Sequence, residues 1–405
     1  MILMKKYIYP FLFILMGFLA LSPFSSWLLI GKMGFPLALP ELFFIPFAII
    51  LRKRIDIRKN LHFVKVFFLI TLLVALIAIA LLWGDFSLYE VLGASRSYFY
   101  IGLCFLFFDN KNEFSIIDVM YISLGSLIGW AVTSYLNLQL SIIATDEIVI
   151  TYGAMLAIPI FIIVSLSKKY YFLFTIGIIF IIFTSFTAGI RRQMLIVILS
   201  LCLYLFFIFI NRKKSISVLF MALPVFLVIL FMPYFEDYLS ANSPALYKRV
   251  FIRTETLFSD DGLRSTSEES RLNNFNFYID NIERFQIPRG FVSKSSSSKA
   301  DFIGSVGRFN DFPLLELTSI LGTFPFFLVF LFLLKLCVNN FKNYLYYKRD
   351  ENMLFCSTFV IMIVLLFLEG SFINFAYSVP FTGYCLGRLK YNSVQRNLLR
   401  TNDFG

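Results

Sequence analysis

Long apolar runs, interrupted by short clusters of Lys and Arg, recur from the N-terminus to Arg388. In lipid every backbone N–H and C=O must find a partner inside the segment, so runs of this kind cross a bilayer as helices. A helix needs roughly 20 apolar residues to span the hydrocarbon. The apolar runs place spans at 7–24, 36–51, 62–83, 95–108, 115–136, 147–166, 170–188, 191–210, 215–233, 312–336, 353–372 and 374–388. Composition agrees: 59% of the 405 residues are hydrophobic, 15% are charged and the mean hydropathy is +0.79. An ordinary soluble domain is nearer half apolar and a quarter charged. The expected fold is an all-α polytopic membrane protein of about twelve transmembrane helices.

The basic residues orient these spans. With the N-terminus in the cytoplasm, inside segments carry 22 Lys/Arg, including Lys5-Lys6, Arg52-Lys53-Arg54, Lys168-Lys169, Arg212-Lys213-Lys214 and the tail from Arg388 to Arg400. The short outside loops carry four, Lys32, Arg96, Arg191 and Arg192. That bias puts both termini inside. It also explains the net charge of +11 without a nucleic-acid partner. The chain then divides into helices one to nine (1–233), a large outer loop (234–311), helices ten to twelve (312–388) and a basic cytoplasmic tail (389–405). The loop holds ten Lys/Arg and eleven Asp/Glu, and long loops translocate whatever their charge.

Within that loop, Leu272, Phe275, Ile279, Ile282 and Phe285 recur at spacings of three and four. They predict an amphipathic helix over 269–286, with Arg271, Asn274, Tyr278 and Asn281 turned away from the apolar stripe, lying on the membrane interface. The Ser295–Ser298 run reads as a connector. The five cysteines, Cys104, Cys202, Cys337, Cys356 and Cys385, lie in or beside apolar runs without metal-ligand spacing, and read as buried thiols.

Outer-face chemistry has few candidates. Arg191 and Arg192 open a span at the turn after Thr187-Ala188-Gly189. Helix N-termini favour anions, and two guanidinium forks there suit a diphosphate or carboxylate; the plainer alternative is a pair of arginines anchoring the span at phospholipid headgroups. In the loop, Arg271 begins the amphipathic helix, and Arg289 is set in the turn Pro288-Arg289-Gly290-Phe291. Asp311 and Glu316 stand at the start of span ten, Glu369 near the outer end of span eleven and Glu41 near that of span two. Acids at such positions mark a site or an ion pair with an outer arginine such as Arg96. The only histidine, His62, is on the inner side, so a Ser–His or Cys–His nucleophile is excluded outside. There is no Gly-rich phosphate loop with Lys-Ser/Thr, no HExxH and no Cys/His cluster, so neither a metal nor any other cofactor is expected.

Three local patterns in this order and layout resemble the bacterial O-antigen polymerase (Wzy-type) family, within the wider O-antigen polymerase and ligase group. The first is Thr187-Ala188-Gly189-Ile190-Arg191-Arg192-Gln193 opening a span. The second is Ser270-Arg271, a helix, then Pro288-Arg289-Gly290-Phe291. The third is Phe309-Asn310-Asp311-Phe312-Pro313-Leu314-Leu315-Glu316-Leu317 followed by Leu321-Gly322. Ligases of the group typically carry a histidine before the Asn-Asp pair, where this chain has Phe309, which leans the assignment to a polymerase. The resemblance implies a GT-C-like, metal-independent glycosyltransferase of the bacterial inner membrane with its site facing the periplasm. Its donor and acceptor would be undecaprenyl-diphosphate-linked oligosaccharides, with membrane lipids and a polysaccharide chain-length regulator as partners. Arg191, Arg192, Arg271 and Arg289 would bind the diphosphate, and Asp311 or Glu316 would orient or activate the acceptor hydroxyl. An O-antigen ligase, or a flippase or other transporter, stands as the alternative.

Overall fold

The structure, a computed structural model, describes residues 2–27, 60–83, 88–109, 115–144, 152–187, 192–210, 240–241, 275–291, 313–368, 373 and 377–402. Among these the ordered elements are helices and none is a strand. They are α1 (Ile2–Ala20), α2 (Phe24–Trp27), α3 (Asn60–Trp83), α4 (Leu88–Phe108), α5 (Ile116–Ala144), α6 (Ala157–Ser167), α7 (Tyr171–Thr187), α8 (Arg192–Ile210), α9 (Ile282–Phe285), α10 (Pro313–Leu321), α11 (Thr323–Tyr347), α12 (Asp350–Leu368) and α13 (Val379–Asn402). Residues 275–280 are also helical. Among the described residues five stretches are long and apolar enough to cross a membrane: Val91–Phe108, Ile116–Asn137, Arg192–Ile210, Thr323–Tyr347 and Asp350–Leu368. The protein is an all-helical membrane protein. The expected spans 36–51 and 215–233 fall outside the described residues.

Three expected elements take a different form. The span at 312–336 is two helices, because Gly322 adopts φ +84 between them and ends α10 as a left-handed C-terminal residue. Within the expected span at 147–166, residues 152–156 are not helical and the helix begins at Ala157. Its eleven residues rise about 16 Å. The amphipathic helix breaks at Asn281, whose φ of −117 and ψ of 21 leave the helical region before α9. One residue is placed differently: Tyr278, expected on the polar side, is buried together with Phe285, while Phe275, Ile279 and Ile282 of the apolar stripe are exposed.

The chain forms two compact units. The first comprises Met1–Phe43, Asn112–Arg264 and Tyr344–Ile361. In it α1 and α5 approach at backbone contact. A Cβ on Gly17 would sit 2.0 Å from the Ile122 carbonyl oxygen, and one on Gly125 would sit 1.9 Å from that of Ile14. Gly125 and Gly129 form a small-xxx-small pair, the spacing that lets membrane helices pack this closely. Around them α6 is buried from Ala157 to Leu166, which explains how an apolar helix too short to face lipid is retained. At one end Lys168 Nζ meets Asp350 Oδ2 at 2.9 Å, joining the α6–α7 turn to the start of α12. Both nearby turns place a lysine in the left-handed region, Lys169 at φ 60 and Lys348 at φ 51.

The second unit comprises Phe44–Lys111, Ser265–Asn343 and Met362–Gly405. Here α4 packs on α13 through another Gly-x-x-x-Gly pair. A Cβ on Gly383 would lie 2.2 Å from that of Cys104, and one on Gly387 would lie 2.7 Å from the Phe105 carbonyl oxygen. Beyond these glycines Lys390 Nζ pairs with Asp109 Oδ2 at 2.5 Å, with side chains 16% and 6% exposed. Two asparagines tie α11 to α13: Asn340 Nδ2 donates to the Leu389 carbonyl at 2.6 Å, and Asn343 Nδ2 to that of Asn392 at 2.9 Å. The helix α13 runs through position 389 to Asn402.

Candidate functional site

Residues 286–291 descend from α9 and dock on the C-terminal end of α10. The last carbonyls of a helix lack partners within it. Here the loop supplies them: Arg289 N–H donates to Ser319 O at 2.9 Å and Gly290 N–H to Ile320 O at 3.1 Å. Gly290 is at φ +74 and lies against α3, where a Cβ would fall 2.1 Å from the Leu76 carbonyl oxygen. Gly322 meets the loop from the other side, its virtual Cβ 2.7 Å from the Gln286 carbonyl oxygen. Both positions need glycine twice over, for the left-handed conformation and for the missing Cβ.

The docked loop is fixed at both ends by aromatic packing. Phe291 is buried with Leu73, Leu76, Ala80, Val91 and Ile320. Upstream, Phe285 stacks on Tyr278 with centroids 4.7 Å apart and packs on Leu315. The Thr323 hydroxyl donates to Phe285 O at 3.0 Å and shares a 2.7 Å hydrogen bond with Tyr278 Oη. The arm is thereby tied to the first residue of α11.

This packing sets Arg289 and Glu316 on one junction. Arg289 is 6% exposed, and its Nη2 donates to the Arg284 carbonyl at 3.0 Å. Burial, and secondarily the Arg284 guanidinium, lower its pKa from the ordinary arginine value. Glu316, in the first turn of α10, accepts a long 3.4 Å hydrogen bond from Tyr98 Oη of α4. The Tyr98 ring in turn packs on Phe291 at 5.1 Å. Loop and α10 thus meet through backbone hydrogen bonds, and α10 and α4 through a carboxylate and a phenol, with the Arg289 guanidinium held on the loop by the Arg284 carbonyl. Such a set can hold an oxyanion at Arg289 and a hydroxyl at Glu316.

Arg192 belongs to the first unit, where it is partly exposed as the first residue of α8. Next to it Gln193 is fully buried and accepts hydrogen bonds at Oε1 from Thr184 (2.9 Å) and Ser185 (2.8 Å) of α7. Both hydroxyls also lie 2.8 Å from the Ile181 carbonyl oxygen. Arg191, Arg271 and Asp311 lie outside the described residues, as do Glu41 and Glu369.

The sequence reading did not single out Tyr98, Thr184 or Ser185, and it named Phe291 and Gln193 only as members of local patterns, without a role. Polar residues within an apolar helix were the available signal. Ser95-Arg96-Ser97-Tyr98 interrupts α4, and Thr184-Ser185 closes α7 opposite Gln193. No protein-family model, curated protein or solved structure matches the chain.

Proposed function

We propose that the chain is an O-antigen-type polymerase of the bacterial inner membrane, joining undecaprenyl-diphosphate-linked oligosaccharide repeats at the periplasmic face. The observation that carries this reading is the junction itself. Arg289 and Glu316, chosen separately from the sequence, stand on a loop and a helix joined by two consecutive backbone hydrogen bonds. The layout of twelve spans with both ends inside receives support from two ion pairs. Lys168 with Asp350, and Lys390 with Asp109, each join segments expected on the inner side. Tyr98 with Glu316 joins segments expected on the outer side.

In the reaction, a hydroxyl at the non-reducing end of one lipid-linked repeat attacks the anomeric carbon of the growing glycan. The new glycosidic C–O bond forms as the bond to diphosphate breaks, and undecaprenyl diphosphate leaves with the electron pair. The hydroxyl proton passes to a carboxylate, for which Glu316 and Asp311 are the candidates. Diphosphate is a good leaving group, so the main demand is to hold it and stabilise its growing charge. Arg289, with Arg271 of the same loop, supplies bidentate donors for that purpose. Low exposure at Arg289 strengthens such an interaction, since screening by water is reduced.

The test is the surface-polysaccharide ladder of the source bacterium with and without the gene. Loss of a polymerase leaves lipid A-core capped by a single repeat, with the ladder gone. Loss of all capping while long lipid-linked glycan accumulates identifies a ligase instead. Loss of capping together with periplasmic lipid-linked repeats identifies a transporter.

A further inference from the structure

The arm formed by residues 275–287 divides into three sectors around its axis. Phe275 and Ile279, four residues apart in the helical stretch 275–280, share one face, and Ile282, just past the break at Asn281, completes an exposed apolar arc. They are 42%, 47% and 40% exposed, and Ile287, just beyond the helix, is 56% exposed. On one flank of this arc Tyr278 and Phe285 are buried against Leu315. On the other flank Asn276, Asp280, Glu283 and Arg284 are exposed polar residues. A purely water-facing arm has no reason for its middle sector, and a purely protein-packed arm would bury it.

The position of that sector identifies what covers it. Thr323 bonds to both Tyr278 and Phe285, so the arm begins where α11 begins. The next residues of α11, Phe324, Phe327 and Leu328, are exposed at 67%, 53% and 51%. Only 11% of the apolar window Thr323–Tyr347 is buried within the protein. The exposed face of an apolar helix of this length is covered by acyl chains. The uncovered apolar arc of the arm lies beside that surface, since Thr323 joins the arm to the first turn of α11.

We propose that the arm is a membrane-seated element. Phe275, Ile279, Ile282 and Ile287 insert into the headgroup and acyl boundary of the leaflet into which the N-terminal end of α11 emerges, and Tyr278 and Phe285 bind the arm to the protein. The occupant of the patch is phospholipid. The arm fixes the depth of the loop that follows it, and so holds Arg289 close to the headgroup level. This assignment does not depend on which reaction the protein performs.

The test uses the intact protein in vesicles of phosphatidylethanolamine and phosphatidylglycerol carrying a phosphatidylcholine with a diazirine in its acyl chain. After illumination, adducts are mapped by peptide mass spectrometry. Label is expected on Phe275, Ile279, Ile282 and Ile287 at a level comparable with Phe324 and Phe327, and largely absent from Asn276, Asp280, Glu283 and Arg284. The double variant Ile279→Asp, Ile282→Asp should lose the label on the arm and keep it on α11. Label on α11 with none on the wild-type arm overturns the proposal. An arm protected from lipid but cross-linked to a second copy of the chain overturns it in favour of self-association. Retention of arm label in the double variant also overturns it, because insertion would then not depend on the apolar sector.

Discussion

Replacing Gly290 by Ala tests whether the loop must touch α3 to be in place. The left-handed conformation at φ +74 costs a non-glycine residue about 1–2 kcal/mol. The added Cβ would lie 2.1 Å from the Leu76 carbonyl oxygen and 2.8 Å from Ala80 N. Both obstacles are helix backbone, so the loop must retreat. Retreat breaks the 3.1 Å bond from Gly290 N–H to Ile320 O, worth about 0.5–1.5 kcal/mol. It also loosens Phe291, which is 1% exposed; complete loss of a buried Phe costs about 3–5 kcal/mol. With partial loss of that packing, the total is about 3 kcal/mol or more. Gly93 supplies the control, since a Cβ there meets nothing within 4 Å. Gly93→Ala in the interior of α4 is expected to stabilise by about 0.5–1 kcal/mol. The assay is thermal unfolding of the purified protein in nanodiscs, with proteolysis of the 275–291 segment as the local readout. Gly290→Ala should unfold several degrees below wild type and be cut faster in the loop. Equal unfolding temperatures with equal protease resistance would refute the docked loop.

Three further outcomes follow from other contacts. Asp109→Asn leaves Lys390 without its charge partner in a largely buried place, and should cost about 3–5 kcal/mol by the same unfolding assay, whereas Asp109→Leu with Lys390→Met should recover most of it. Lys348→Gly removes a left-handed lysine at φ 51 and should raise stability by about 1 kcal/mol; an unchanged or lower unfolding temperature would contradict that backbone assignment. At the α7–α8 turn, Gln193→Leu should be within about 0.5 kcal/mol of wild type, because Thr184 and Ser185 keep the Ile181 carbonyl as acceptor. Thr184→Val with Ser185→Ala should instead cost about 1–3 kcal/mol, since it strips the partners from the buried Gln193 oxygen. A larger loss in Gln193→Leu than in the double variant would reverse this account of the turn.

Several helices were legible from apolar runs that ended at charge or glycine, although charge did not always end one: α1 starts at Ile2 and includes Lys5-Lys6, and α4 starts at Leu88 and passes through Arg96. The runs at 62–83, 170–188 and 191–210 appear within two residues as α3, α7 and α8. Boundaries failed where hydropathy is indifferent to geometry. Gly322 sits inside a continuous apolar stretch, and only its backbone conformation and the nearby Gln286 carbonyl divide α10 from α11. The arm misled for a related reason. Its spacing marks an apolar face, but a Tyr counted as polar can be buried when its ring stacks on Phe285 and its hydroxyl reaches Thr323. At the site, Arg289 and Glu316 were visible because charge is rare in such a chain. Tyr98 was not, since its role depends on contacts across more than 190 positions of sequence, to Phe291 and Glu316. The Gly125–Gly129 and Gly383–Gly387 pairs were readable as packing signals in the sequence, but their partners, Ile14 and Cys104, were not.

The central claim is a diphosphate-releasing glycosyl transfer that depends on Arg289. The most direct measurement reconstitutes the purified protein in nanodiscs with undecaprenyl-diphosphate-linked repeats from the source bacterium, and follows both glycan length and free undecaprenyl diphosphate. Wild type is expected to extend the glycan and release one undecaprenyl diphosphate per linkage formed. Arg289→Lys is expected to lose most of this activity while still folding, its unfolding temperature lowered only by the lost bond to the Arg284 carbonyl, about 0.5–1.5 kcal/mol, because lysine keeps the charge but not the bidentate fork. Absence of elongation by the folded wild-type protein would contradict the polymerase reading, and full activity of Arg289→Lys would remove Arg289 from the site.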